Sequence, residues 1–138
     1  FRTQTERHEI VVTIPYELPI VVGDEGRIEQ VLNNLISNAI KYSPEGGRIE
    51  VSGRGTPTDV IITVSDQGVG IPLEEQTRVF ERFFRGTRER HQRTSGAGLG
   101  LYLAKAIVEA HNGRIWVESD VGAGSAFSFS IPRKSSHR

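Results

Sequence analysis

Five polar side chains, Gln30, Asn34, Ser37, Asn38 and Lys41, recur through one helical stretch of the 138-residue chain. At about 100° per residue they fall within roughly a quarter of the helical circumference, opposite an apolar stripe. Asn is a poor interior helix former, so Asn34 and Asn38 one turn apart, beside Asn33, need a reason. One reason is side-chain carbonyls presented to a hard cation such as Mg²⁺, with Lys41 meeting phosphate oxygens. The same residues also fit a solvated helix face. Further along, Asp66-Gln67-Gly68-Val69-Gly70-Ile71-Pro72 follows the apolar run Val60-Ile61-Ile62-Thr63-Val64-Ser65. An acid at a strand end before two spaced glycines sets a carboxylate above a loop that can lie flat against a ring, and that carboxylate suits an exocyclic amine such as adenine's. The alternative is a turn in which Asp66 bonds local backbone.

A third constellation, Ser95-Gly96-Ala97-Gly98-Leu99-Gly100-Leu101, leads into a helix, where free N–H groups and the helix dipole favour an anion. A flexible connection is the plainer reading. Leu101 stands where a dinucleotide fingerprint needs its third glycine, and no Gly-Lys-Ser/Thr follows, so neither that motif nor a Walker loop is present. Arg78, Arg82, Arg85, Arg88, Arg90 and Arg93 lie between the two glycine clusters, in a stretch that reads as a mobile lid. His8, His91, His111 and His137 have no spacing that suggests a metal site. The absence of Cys excludes thiolate chemistry, and seventeen basic against seventeen acidic residues disfavour nucleic acid as a partner. No apolar run reaches the roughly 20 residues of a membrane helix. With no Met, the chain reads as a piece of a longer protein.

The elements that must hold these residues follow from periodicity. His8 to Ile14 alternates as a strand, and Ile20-Val21-Val22 suggests another. Asp24 is placed as an N-cap, and Ile28, Val31, Leu32, Leu35, Ile36, Ala39 and Ile40 give the i, i+3, i+4 pattern of an amphipathic helix. Arg48 to Arg54 and Asp59 to Ser65 read as two strands joined at Gly55-Thr56-Pro57. Leu73 to Phe84 reads as a short helix and Leu99 to His111 as a longer one stopped by Asn112-Gly113. Arg114 to Glu118 and Ser125 to Ile131 close as strands. The expectation is one domain over residues 1–138, with its core about 8–132: a two-layer α/β sandwich with a mixed, largely antiparallel sheet.

Four runs taken together are more specific than any one. Gln30-Val31-Leu32-Asn33-Asn34-Leu35-Ile36-Ser37-Asn38-Ala39-Ile40-Lys41-Tyr42, then Asp66 to Pro72, then Phe80-Glu81-Arg82-Phe83-Phe84-Arg85, then Gly96 to Leu101, resemble the asparagine, first glycine, phenylalanine and second glycine boxes of sensor histidine kinases, in that family's order. The resemblance runs from near Ile10 to Pro132 and is to the catalytic ATP-binding domain only. It implies a Bergerat-type fold, with about three helices over one face of the sheet and ATP under a lid. It implies that Asn38 coordinates Mg²⁺, Asn34 supports it or contacts phosphate, Lys41 meets phosphate and Tyr42 packs against adenine. By the same resemblance Asp66 accepts from the adenine amine, with Gly68 and Gly70 shaping that wall. Gly96, Gly98, Leu99 and Gly100 bring backbone to the phosphates, Arg85 stands at the γ-phosphoryl, and Ser125 lies near the adenine.

Related ATPases carry a general-base Glu one turn before the metal-box Asn. The resemblance is read as placing Gln30 there, which cannot accept a proton and so favours transfer over hydrolysis. Glu29 is rotated about 100° away. The acceptor His, which the family carries on a preceding helical dimerisation domain, is expected to be missing, since His8 sits in a strand context. The implied partners are that domain and a downstream response-regulator receiver domain, with a monomeric, cytoplasmic fragment and no membrane insertion. Alternatives are a superfamily ATPase, an anti-sigma serine kinase, and a degenerate module that senses nucleotide.

Overall fold

The computed structural model describes residues 8–13, 23–43, 46–84 and 99–133. In chain order these form β1 (His8–Thr13), α1 (Glu25–Lys41), β2 (Gly47–Gly55), β3 (Asp59–Asp66), α2 (Leu73–Gln76), α3 (Gly100–Ala110), β4 (Arg114–Asp120) and β5 (Gly124–Pro132). The strands make one five-stranded sheet in the order β1-β2-β3-β5-β4. Among the described residues β1 and β2 alone run parallel, while β2·β3, β3·β5 and β4·β5 are antiparallel. The expected mixed sheet with helices over it is what forms. Ile20-Val21-Val22 lies outside the described residues.

Period-2 patterning decides which face is covered. Val60 and Val64 on β3, and Phe127, Phe129 and Ile131 on β5, share one side of the sheet by alternation, and each is buried. They meet Val31, Leu35, Ile36 and Ala39 of α1 and Ala104 and Val108 of α3 in a single core. Among the intervening positions, Thr63 Oγ1 and Ser128 Oγ lie 2.8 Å apart across the β3·β5 ladder and satisfy one another. Asp24 caps α1 as its sequence context suggests, its Oδ1 accepting from the Arg27 N–H at 3.1 Å. His111, which ends α3, donates from Nδ1 to the Ile107 carbonyl at 2.8 Å and accepts at Nε2 from the Asp24 N–H at 3.0 Å. One imidazole therefore pins the start of α1 to the end of α3 and sets the two helices antiparallel.

One element is shorter than its pattern suggests. Only Leu73 to Gln76 is helical, and residues 77–84 continue as successive turns. Their backbone bonds are of the i→i−3 kind, from Arg78 to Glu75, Glu81 to Arg78 and Phe84 to Glu81. Phe83 takes a left-handed φ of 64°, which no helix continues through. Val79 and Phe80 are drawn onto the core, Phe80 meeting Phe127 edge-on at 6.0 Å, so tertiary packing overrides the helical period.

Phe129→Ala should cost about 3–5 kcal/mol of unfolding free energy, the range for emptying a buried aromatic position. Val121→Ala, at a site 71% exposed, should cost less than about 0.5 kcal/mol. Urea unfolding of the two variants checks the core assignment.

Candidate functional site

The asparagine stripe lies where α1 runs alongside α3. Asn34 Nδ2 donates to the carbonyl of Gly100, the first residue of α3, at 3.2 Å, joining positions 66 residues apart in sequence. Asn38, one turn on, is half-buried, and its Nδ2 has no hydrogen-bond partner among the described residues. A terminal amide can be turned to offer either an oxygen to a hard cation or N–H to a phosphate oxygen, so the chemistry of Asn38 fits an Mg-nucleotide. Ser37 and Lys41 are exposed. Tyr42 is buried at 2% exposure, and what it offers the neighbouring loop is its carbonyl oxygen.

Gln30 requires a correction. It stands eight residues before Asn38, about 12 Å of helical rise, so the position one turn before Asn38 belongs to Asn34. The side chain of Gln30 accepts from Arg27 Nη1 of its own helix at 3.1 Å. The chemical consequence survives the change of residue. Asn34 is also an amide, is no more basic than Gln, and spends its Nδ2 on Gly100.

Asp66 closes β3 and is 6% exposed. Its Oδ1 accepts from the Gly68 N–H at 2.9 Å, the local turn that the sequence allowed as an alternative. That bond does not compete with a role toward a ligand, because a carboxylate has acceptor sites to spare. A Cβ at Gly68 would overlap the Tyr42 carbonyl oxygen and crowd Ser43 Oγ at 3.0 Å. At Gly70, with φ of 79°, a Cβ would overlap the Asp120 carbonyl oxygen. Both glycines are thus explained by backbone approaching backbone. They wedge the 66–71 loop between the end of α1 and the end of β4.

The start of α3 is different. Its first helical bond runs from the Leu103 N–H to the Leu99 carbonyl at 2.8 Å, so the N–H groups ahead of it have no intrahelical acceptor. Leu99 supplies no side-chain cap. A Cβ at Gly100 would meet nothing within 4 Å among the described residues. Glycine there costs helix stability with no packing reason in return, as expected where a ligand comes close to backbone. Gly96, Gly98 and Arg85 lie outside the described residues, as do Arg88, Arg90, Arg93, His91 and His137.

Two polar residues that the sequence did not single out belong to the loop's support. Gln76 Nε2 donates to the carbonyls of Ile71 and Ser119, each at 2.9 Å, and Ser119 Oγ accepts from the Ile71 N–H at 2.8 Å. Ser125, directly across the ladder from Asp66, is 4% exposed, with its Oγ 2.9 Å from Ser119 Oγ. His8, at the head of β1, is 7% exposed and donates from Nε2 to the Ser43 carbonyl at 2.7 Å. It is a structural strand residue.

Residues 23–135 match the family described as histidine kinase-, DNA gyrase B- and HSP90-like ATPases. The chain belongs to this family. The adaptive-response sensory kinase SasA of Thermosynechococcus vestitus is 44% identical over 130 residues, 94% of this chain and 34% of SasA. The sensor histidine kinase WalK of Bacillus subtilis is 41% identical over 137 residues, 97% of this chain and 22% of WalK. The chain therefore spans about a third or less of these relatives. Among solved structures, the mycobacterial sensor histidine kinase MprB superposes with a TM-score of 0.82 at 34% identity, over 93% of this chain and 85% of that one. A nucleotide-free catalytic domain of the histidine kinase ThkA gives 0.78 at 34%, over 92% and 80%. This is a catalytic ATP-binding domain of the histidine-kinase type.

The two kinds of glycine should separate in measurement. Gly68→Ala should lower the melting temperature by several degrees, because the Tyr42 carbonyl has to move. Gly100→Ala should leave it unchanged or raise it, yet weaken ATP binding measured by calorimetry. A Gly100→Ala protein with wild-type ATP affinity would remove the start of α3 from the site.

Proposed function

We propose that this domain binds Mg-ATP and transfers the γ-phosphoryl group to a histidine on a separate helical dimerisation domain of its parent kinase. The carrying observation is the bond from the Asn34 amide to the Gly100 carbonyl, which sets the opening of α3 against the helix that carries Asn38 one turn on, with the loop that begins at Asp66 packed against the end of that helix. In this reading Asp66 accepts from the adenine amine, with Ser125 near it. Gly68 and Gly70 hold the wall behind that contact, and Tyr42 backs it. Lys41, Gly96, Gly98, Leu99 and Gly100 serve the phosphates. Arg85 is proposed as the cation at the γ-phosphoryl, and Asn38 as the residue that holds Mg²⁺ with support from Asn34. Bound there, the metal neutralises phosphate charge.

Transfer is favoured over hydrolysis because the position one turn before Asn38 carries an amide where a water-activating base would stand. The acceptor imidazole nitrogen attacks the γ-phosphorus, the bond to the β–γ bridging oxygen breaks, ADP departs and the imidazole loses its proton. An imidazole nucleophile needs no strong base, so positioning and charge neutralisation suffice. Among the described residues no helix is long and apolar enough to cross a membrane, in keeping with a cytoplasmic catalytic domain. A response-regulator receiver domain would take the phosphoryl group onward.

Asn38→Ala should lower affinity for Mg-ATP well beyond its effect on metal-free ATP, since a hard cation loses an oxygen ligand. Calorimetry with and without Mg²⁺ reads this, and equal losses would move the metal off Asn38.

Incubated alone with radiolabelled Mg-ATP, the domain should neither label itself nor release phosphate appreciably. Given the helical domain of its own parent, it should label that partner with an acid-labile phosphate. An acid-stable label would point to a serine acceptor, and rapid phosphate release by the isolated chain to an ATPase.

A further inference from the structure

We propose that Gln76 and Ser119 are positioning residues that set which nucleobase the domain accepts, by clamping the backbone of Ile71 and fixing the hydroxyl of Ser125. The inference rests on the reading of Asp66 as the base-binding carboxylate. It concerns residues outside every box that the sequence shares with the family.

Both polar groups of the Ile71 backbone are held by side chains from elsewhere in the chain. Its N–H donates to Ser119 Oγ at 2.8 Å, and its carbonyl accepts from Gln76 Nε2 at 2.9 Å. The second N–H of that amide goes to the Ser119 carbonyl, also at 2.9 Å. Gln76 therefore faces two carbonyl oxygens and must be a donor. The Gly122 N–H adds a bond to the Val69 carbonyl at 2.8 Å. The far end of the loop that begins at Asp66 is thus tied to β4 and the β4–β5 turn. A hydrogen bond misplaced by a few tenths of an ångström loses strength, so the tie bears on what Asp66 can hold.

Ser119 does more than anchor. Its single hydroxyl hydrogen goes to the Gly124 carbonyl at 2.8 Å, and its oxygen already accepts from Ile71. Toward Ser125 Oγ, 2.9 Å away, it is then an acceptor, and the Ser125 hydrogen is drawn toward β4. Ser125 stands opposite Asp66 in the ladder. The Ser125 hydrogen is consequently spent on Ser119, and the group that stands ready for a nucleobase beside it is the Asp66 carboxylate, an acceptor. An amine-bearing base is matched by such an acceptor, and a base with a carbonyl at the same place is opposed by it.

The test compares ATP and GTP binding by calorimetry, with melting temperatures, for the wild-type domain and for Gln76→Leu, Gln76→Lys, Gln76→Glu and Ser119→Ala. Wild type should prefer ATP. Gln76→Leu should lower ATP affinity about 5–10-fold and narrow the ATP-to-GTP ratio, the scale of one lost hydrogen bond. Gln76→Lys, which keeps a donor before the two carbonyls, should retain most of the preference. Gln76→Glu, which sets a carboxylate against them, should be the weakest of the series. Ser119→Ala releases the Ser125 hydrogen and should narrow the ratio chiefly by improving GTP, an effect that loss of stability cannot mimic. A wild-type preference for ATP that persists unchanged in Gln76→Leu and Ser119→Ala would overturn this inference and leave the base reading intact. Equal losses for both nucleotides that follow the melting temperature would overturn it likewise. A wild type that binds ATP and GTP equally would overturn the base reading itself, and the clamp with it.

Discussion

The site depends on one steric arrangement: the backbone of the 66–71 loop lies between two carbonyl oxygens, that of Tyr42 at the end of α1 and that of Asp120 at the end of β4. Only glycine permits either approach, at Gly68 and Gly70. Gly124, with φ of 95°, makes the third, set against the carbonyl of Asp66 itself. A carboxylate buried to 6% exposure at a strand end would be costly if it were free to wander. Here it is held from behind by backbone, beside it by the Gly68 N–H, and at the far end of the loop by Gln76 and Ser119. The 66–71 loop is thus held in place by the protein's own contacts, which spares a ligand there the ordering cost that a loose loop would impose.

That arrangement ties the sheet to the helices. Residue by residue, β3 and β5 stay in register down to Asp66 opposite Ser125, and β4 and β5 to Ser119 opposite Ser125. The core beneath them, Val64 and Phe127 against α1, fixes how far α1 can slide, and so where Tyr42 meets Gly68. The Asn34 bond to Gly100 and the His111 bond to Asp24 hold α1 against α3 at both ends. The side proposed for the phosphates is therefore built from helix–helix packing, and the side proposed for the base from strand register and loop wedging.

Much of this was legible from residue order. The 3.6-residue period of α1, its Asp24 cap and the alternation of Phe127, Phe129 and Ile131 are local signals, and each element formed where its signal stood. The stretch from Leu73 to Phe84 misled because its apolar spacing fits a helix, while the force that decides its path, the docking of Val79 and Phe80 on the core, is not local. The spacing of Gly68 and Gly70 suggests a loop that can lie flat against a ring. In the structure they also clear carbonyls of the protein's own backbone, while Gly100, at the start of α3, has open space before it among the described residues. Gln76 and Ser119 gave no signal at all, since the bonds that tie the loop to β4 span 43 and 48 residues and a lone Gln or Ser carries no periodic pattern.

The central claim, a base-reading loop already formed in the free protein, is tested most directly by amide hydrogen exchange without nucleotide. The N–H groups of Gly68, Ile71 and Gly122 should exchange slowly, with protection like that of the β3 and β5 ladder, and ATP should change them little. Rapid exchange at these three amides in the free protein, with protection appearing only when ATP is added, would contradict it.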